Sequence, residues 1–135
     1  MSGVSVIGEL LNGYAPLTGI IPVARIKAGD LPQGVELPAL AVTSVSVVDT
    51  NMLSTGEKRR IRERVRVTVL APNYRNKTAI MRLVKLACAD KRGNFADMTD
   101  VSVLTDGAGP DFMSDDATIW MSTQDFSVSG NEPTA

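Results

Sequence analysis

The chain has 135 residues, 44% of them hydrophobic and 21% charged, with a formal net charge of −1, the profile of one globular domain rather than of a disordered chain. It contains no histidine, which removes Ser–His and Cys–His catalytic pairs, imidazole acid–base chemistry and every histidine-containing metal site. A single cysteine, Cys88, excludes an internal disulfide, and no apolar run reaches the ~18 residues of a membrane span.

In chain order, the first predicted element is a helix over residues 4–14, because Val4, Ile7, Leu10, Leu11 and Tyr14 recur at helical spacing. Pro16 and Pro22 limit its extension, and a short strand over residues 23–26 precedes a Gly/Pro loop at 27–38. Residues 39–50 are rich in β-branched side chains and predict a strand, followed by a turn at 51–57. Residues 58–70 give the clearest strand. Ile61, Glu63, Val65, Val67 and Val69 share one parity, and Arg60, Arg62, Arg64 and Arg66 the other, so the valines face a core and the arginines the opposite side. Pro72 ends that strand, and Asn73 is placed to cap a helix running to about residue 89 or 90. Ile80, Leu83, Val84 and Ala87 form its apolar stripe, packing on Val65, Val67 and Val69, while Lys91, Arg92 and Gly93 read as its cationic, glycine-terminated end. Strands are predicted over residues 96–105 and 119–129, with an exposed aspartate-rich loop between them at 106–118.

These elements predict an α+β fold, a single mainly antiparallel sheet of about four strands with two helices packed on one face. Residues 1–129 form that domain, and residues 130–135 are expected to be a flexible tail. The sheet's other face is expected to carry the arginine stripe with Ser44, Ser46, Ser122 and Gln124.

Charge is divided along the chain. Residues 1–56 carry two basic and four acidic side chains, residues 57–92 twelve basic and three acidic, and residues 93–135 eight acidic and no basic ones. The two strongly charged blocks must meet, either across adjacent strands of one subunit or between neighbouring copies. In the second case the subunit is polar, and head-to-tail contacts close into a ring or continue as a filament. Arg60, Arg62, Arg64 and Arg66, with Asp97, Asp100 and Asp125, are the candidate subunit-interface residues.

Chemistry-bearing constellations are sparse. Asp111, Asp115 and Asp116 lack EF-hand spacing and read as a flexible acidic loop. Cys88 has no histidine to activate it and reads as a packed side chain. Gly107-Ala108-Gly109 lacks the lysine and following helix of a phosphate loop, and Trp120 and Phe126 share the parity of a buried face. No catalytic residue, metal site or cofactor is expected, and the chain does not read as an enzyme. The arginine stripe could track phosphates, but aromatic residues do not interleave with it and the sequence pI is about 5.4, so a nucleic-acid-binding module is the weaker alternative. Met52 and Leu53 at a turn tip, and Phe112 and Met113 in the acidic loop, are apolar outliers and candidate partner contacts.

The segment Gly34-Val35-Glu36-Leu37-Pro38-Ala39-Leu40-Ala41-Val42, entering a strand after a Pro/Gly loop, resembles that of small phage tail-completion proteins. Arg64-Val65-Arg66-Val67-Thr68-Val69-Leu70-Ala71, running into a helix with Ala79, Leu83, Val84 and Leu86, is similar to that family's strand-then-helix core. Gln124-Asp125-Phe126-Ser127-Val128 resembles its closing strand. The likeness covers about residues 10–129 through degenerate motifs. It implies a tail-terminator or tail-to-head joining protein of a tailed phage, made in the host cytoplasm and located in the virion tail or neck. It also implies a homo-oligomeric ring, usually a hexamer, that meets the tail tube protein and the head connector or stopper and passes genomic DNA without specific binding. A head–tail adaptor or other neck protein fits the same residues.

Overall fold

The computed structural model describes residues 2–29, 36–50, 58–96, 98–109, 111–113 and 119–133. The chain opens with helix α1 (Ser2–Asn12), which turns its buried Val4, Val6, Ile7 and Leu11 inward. Pro16 does not simply stop the chain there. It sits in the first turn of a short helix, α2 (Ala15–Thr18), where its missing N–H costs nothing. A 3-10 turn (Val23–Arg25) occupies most of the stretch expected as a strand and leads into strand β1 (Ile26–Ala28).

Strands β2 (Ala39–Thr50) and β3 (Lys58–Ala71) pair antiparallel. Along β3 the alternation is as the sequence predicts. Ile61, Glu63, Val65, Val67 and Val69 are all buried, while Arg62 and Arg64 on the other parity are exposed. Helix α3 (Tyr74–Cys88) begins where Asn73, in extended conformation, accepts the Asn76 N–H at 2.8 Å. Its buried stripe is Lys77, Ile80, Met81, Val84, Ala87 and Cys88, with Leu83 only partly buried.

The helix ends earlier than its charges suggest. Ala89 is already extended, and Asp90 takes φ 58°, turning the chain back. Lys91, Arg92 and Gly93, read from sequence as the helix end, instead open strand β4 (Lys91–Phe95), which pairs with β5 (Met98–Ala108). Strand β6 (Phe112–Met113) and strand β7 (Trp120–Pro133) complete the sheet. Residues 106–108, expected in a loop, are the end of β5, and residues 130–133, expected in the flexible tail, are the end of β7, with Gly130 buried.

The predicted sheet of about four strands with two helices is therefore corrected. Among the described residues seven strands form one mixed sheet in the order β1-β2-β3-β7-β5-β4, with β6 also on β7, and it curls into a half-barrel beside three helices. The pair β1–β2 is parallel and every other pair antiparallel. The missed strands are short and carry no alternation of their own. Lys91-Arg92-Gly93 is extended because it meets Val101, Ser102 and Val103 of the next strand, β5, and that cross-strand pairing overrides the local helical pattern.

One continuous core joins α1, α3 and the inner side of the sheet, with Phe126, Ile7, Leu11 and Ile80 among its fully buried side chains. Each such side chain contributes about 1.5–3 kcal/mol of burial. Two polar links tie α1 to the sheet, the first exposed and the second buried. Glu9 of α1 accepts the Ala96 N–H from the β4–β5 turn. Glu63, 1% exposed, accepts the Gly3 N–H at 3.2 Å, placing a carboxylate at the positive end of α1. A Cβ on Gly3 would stand 2.8 Å from the Glu63 carboxyl carbon, so a larger residue there would have to displace the carboxylate.

Candidate assembly surfaces

The β3–β7 register decides the fate of the arginine stripe. Arg66 lies directly opposite Asp125, and Arg64 opposite Ser127, two residues further along β7. Both guanidiniums converge on the one carboxylate. Arg64 Nε donates to Asp125 Oδ2 at 2.7 Å, and Arg66 donates through Nε at 2.8 Å and Nη2 at 3.2 Å. Arg64 also reaches the Asp106 carbonyl oxygen at 3.3 Å. Burial pushes the Asp125 carboxyl up, but hydrogen bonds from Arg66 and Arg64, with their charges, outweigh it and hold the group below the usual carboxylate range. Further along, Arg60 Nη1 meets the Asp100 carbonyl oxygen at 3.1 Å and its carboxylate at 3.4 Å.

The structure thus brings Arg60, Arg64, Arg66, Asp100 and Asp125 together inside one chain. Arg62 stands apart: among the described residues it has no carboxylate partner. It lines a shallow recess of about 300 Å³ with Ser46, Val48, Arg64, Asp106 and Ser127. Of the serines and glutamine expected on this outer face, Ser46 lies opposite Arg64 and belongs there. Ser44, Ser122 and Gln124 lie opposite Val65, Val69 and Val67, on the core parity. Gln124 is buried and satisfied by donating to the carbonyls of Gly107 and Asp125, each at 3.0 Å.

Phe112 and Met113 are 42% and 36% exposed, on β6 beside Met121 and Trp120. Met52, Leu53 and Asp97 lie outside the described residues.

A second surface was not anticipated. At the start of α3, Lys77 is 3% exposed, pairs with Asp111, and lies 4.1 Å from the centre of the Tyr74 ring. Tyr74 in turn meets Trp120 edge to face at 5.3 Å. Hydrogen bonding to Lys77, its charge, and hydrogen bonds from Tyr74 and Ser122 hold the Asp111 carboxyl below its ordinary range against partial desolvation. This clasp lines one end of a cleft of about 300 Å³ that runs along α3 past Met81, Arg82 and Lys85, with Asp111 and Ser122 on its far side. The sequence held the signal: Lys77 stands three residues before Ile80 and seven before Val84, on the apolar stripe itself.

Among the described residues no group of three or more metal-ligating side chains occurs, and no helix is long and apolar enough to cross a membrane. Cys88 is buried, which pushes its thiol up to about 12 despite the charge of Lys91.

No protein-family model and no curated protein sequence matches the chain. Its fold is that of a chain in a solved structure described as the virion of a native gene transfer agent (GTA) particle. The TM-score is 0.70 at 13% sequence identity, covering 95% of this chain and 93% of that one.

Proposed function

We propose that this chain is a structural protein of a tailed-phage-like virion, and within it the tail terminator or completion protein that caps the tail tube and joins it to the head connector. The observation that carries this reading is the likeness to a virion chain over nearly the whole of both chains. The tail-completion resemblance of the strand-then-helix core supports the finer assignment. On this reading the chain works as a homo-oligomeric ring, six copies around a lumen that passes DNA, and acts without catalysis. An arginine face in which Arg60, Arg64 and Arg66 are paired to aspartates of the same chain suits such passage, because a partly neutralised stripe holds phosphates more weakly than a free one.

The test is attachment. Purified protein, fluorescently labelled, is mixed with isolated tails lacking their head-proximal cap and sedimented. Co-sedimentation at a fixed small number of copies per tail supports the reading. Binding all along the tail, or none, refutes it.

A further inference from the structure

The internal pairing of the arginine stripe leaves the question of where the basic block makes contact. Helix α3 contains no acidic residue, and its Arg75, Arg82 and Lys85 are exposed. Among the described residues none of the three has an ion-pair partner, nor do Lys91 and Arg92 of the adjoining β4. Five cations without an ion-pair partner among the described residues thus lie on α3 and the adjoining β4, with Tyr74 and Leu86 on the same helix, each 52% exposed.

We infer that the cleft along α3, rimmed by Arg82 and Lys85, receives a carboxylate-bearing surface of a second copy of this chain, and is the head-to-tail contact of the assembly. The inference rests on the ring reading above and names the surface that makes it. Three observations select this occupant. The complement is present in the same chain, since residues 93–135 carry eight acidic side chains and no basic one. Asp100 on β5 meets Arg60 at 3.4 Å, yet its side chain stays 84% exposed, so part of this charge is still presented to the outside. The cations are interleaved with Tyr74, Met81 and Leu86, and aromatic residues, methionine and arginine are the types enriched at protein interfaces. A duplex is the poorer fit: the concavity is only about 300 Å³, and the chain's net charge is −1. Lys77 and Asp111, held under Tyr74, keep the wall of the cleft fixed before any partner arrives.

The experiment compares the wild type, Arg82→Glu with Lys85→Glu, and a control, Arg25→Glu with Lys27→Glu, which reverses unpaired cations beside β1. Assembly mass is read by light scattering at 50 mM and 500 mM salt, with urea midpoints confirming that each variant is folded. The inference expects a multimeric wild type at low salt, dissociation of the α3 variant by at least tenfold in affinity, and an unchanged control. Salt weakens the wild-type assembly, since a rim-exposed charge contact is screened. An α3 variant that assembles like the wild type overturns the inference and leaves the ring standing. Equal loss in both variants also overturns it, as a non-specific charge effect. A wild type that stays monomeric both alone and with tails overturns the ring reading itself. If the wild type binds duplex DNA and only that binding is lost in the α3 variant, the surface is a nucleic-acid site and the inference is wrong.

Discussion

Replacing Asp125 with asparagine removes the charge on which the arginine stripe is organised while keeping the side chain's shape. The carboxylate accepts three N–H bonds from two guanidiniums, at 2.7, 2.8 and 3.2 Å, and its side chain is 5% exposed. A hydrogen bond to a charged group is worth about 1.5–3 kcal/mol. Arg64 and Arg66 are 44% and 43% exposed, so water takes over part of their solvation when the carboxylate goes, and the lower end applies. One bond per arginine at that value gives a loss of about 3 kcal/mol, a large share of a small domain's stability. The loss also depends on pH. A carboxyl depressed in the folded state contributes fully above its unfolded value, about 3.9, and loses that contribution as pH falls through the lower folded value. Urea titration at pH 7 should show the full gap between wild type and Asp125→Asn, and titrations at successively lower pH should show it closing below about pH 4. A gap under about 1 kcal/mol at pH 7, or one that persists unchanged to about pH 2, would refute the network described here.

Ile80→Ala empties a fully buried site on α3 and should cost about 2–5 kcal/mol in denaturant titration, whereas Leu83→Ala, partly buried, should cost less than half as much. Equal losses would mean that the helix is rotated from the orientation described. Asp111→Ala leaves the buried Lys77 ammonium without its carboxylate and should lower the urea midpoint, while Lys77→Met with Asp111→Ala should recover part of that loss. Cys88, buried with its thiol raised to about 12, should resist iodoacetamide at pH 8 in the folded protein and react once urea unfolds it. Prompt labelling of the native protein would show that α3 opens locally.

The parts of this fold that could be read from the sequence are those governed by local period. Val65, Val67 and Val69 alternate with arginines over a long run, and Asn73 stands one residue before a helix that it caps. Strands β1, β4 and β6, of three, five and two residues, are extended because they pair with a neighbouring strand and not through any alternation of their own, and Lys-Arg-Gly at the end of a helical pattern reads naturally as a helix terminus. The same limit governs the site. The arginine stripe was visible, but its pairing to Asp125 depends on the β3–β7 register, which no local pattern fixes. Ser122 and Gln124 were assigned to the outer face by polarity alone, although they share the parity of Phe126. Glu63 stands on the valine parity; one of its oxygens takes the Gly3 N–H at the start of α1, sixty residues away, while the other is buried without a hydrogen-bond partner among the described residues.

The claim that this chain is a ring-forming virion protein of the tail end is tested most directly by electron microscopy of the purified protein, alone and mixed with uncapped tails. The account predicts rings of uniform size in the protein alone, and a single ring at one end of each tail in the mixture. Monomers that leave both tail ends bare, or rings that ignore the tails, would contradict it.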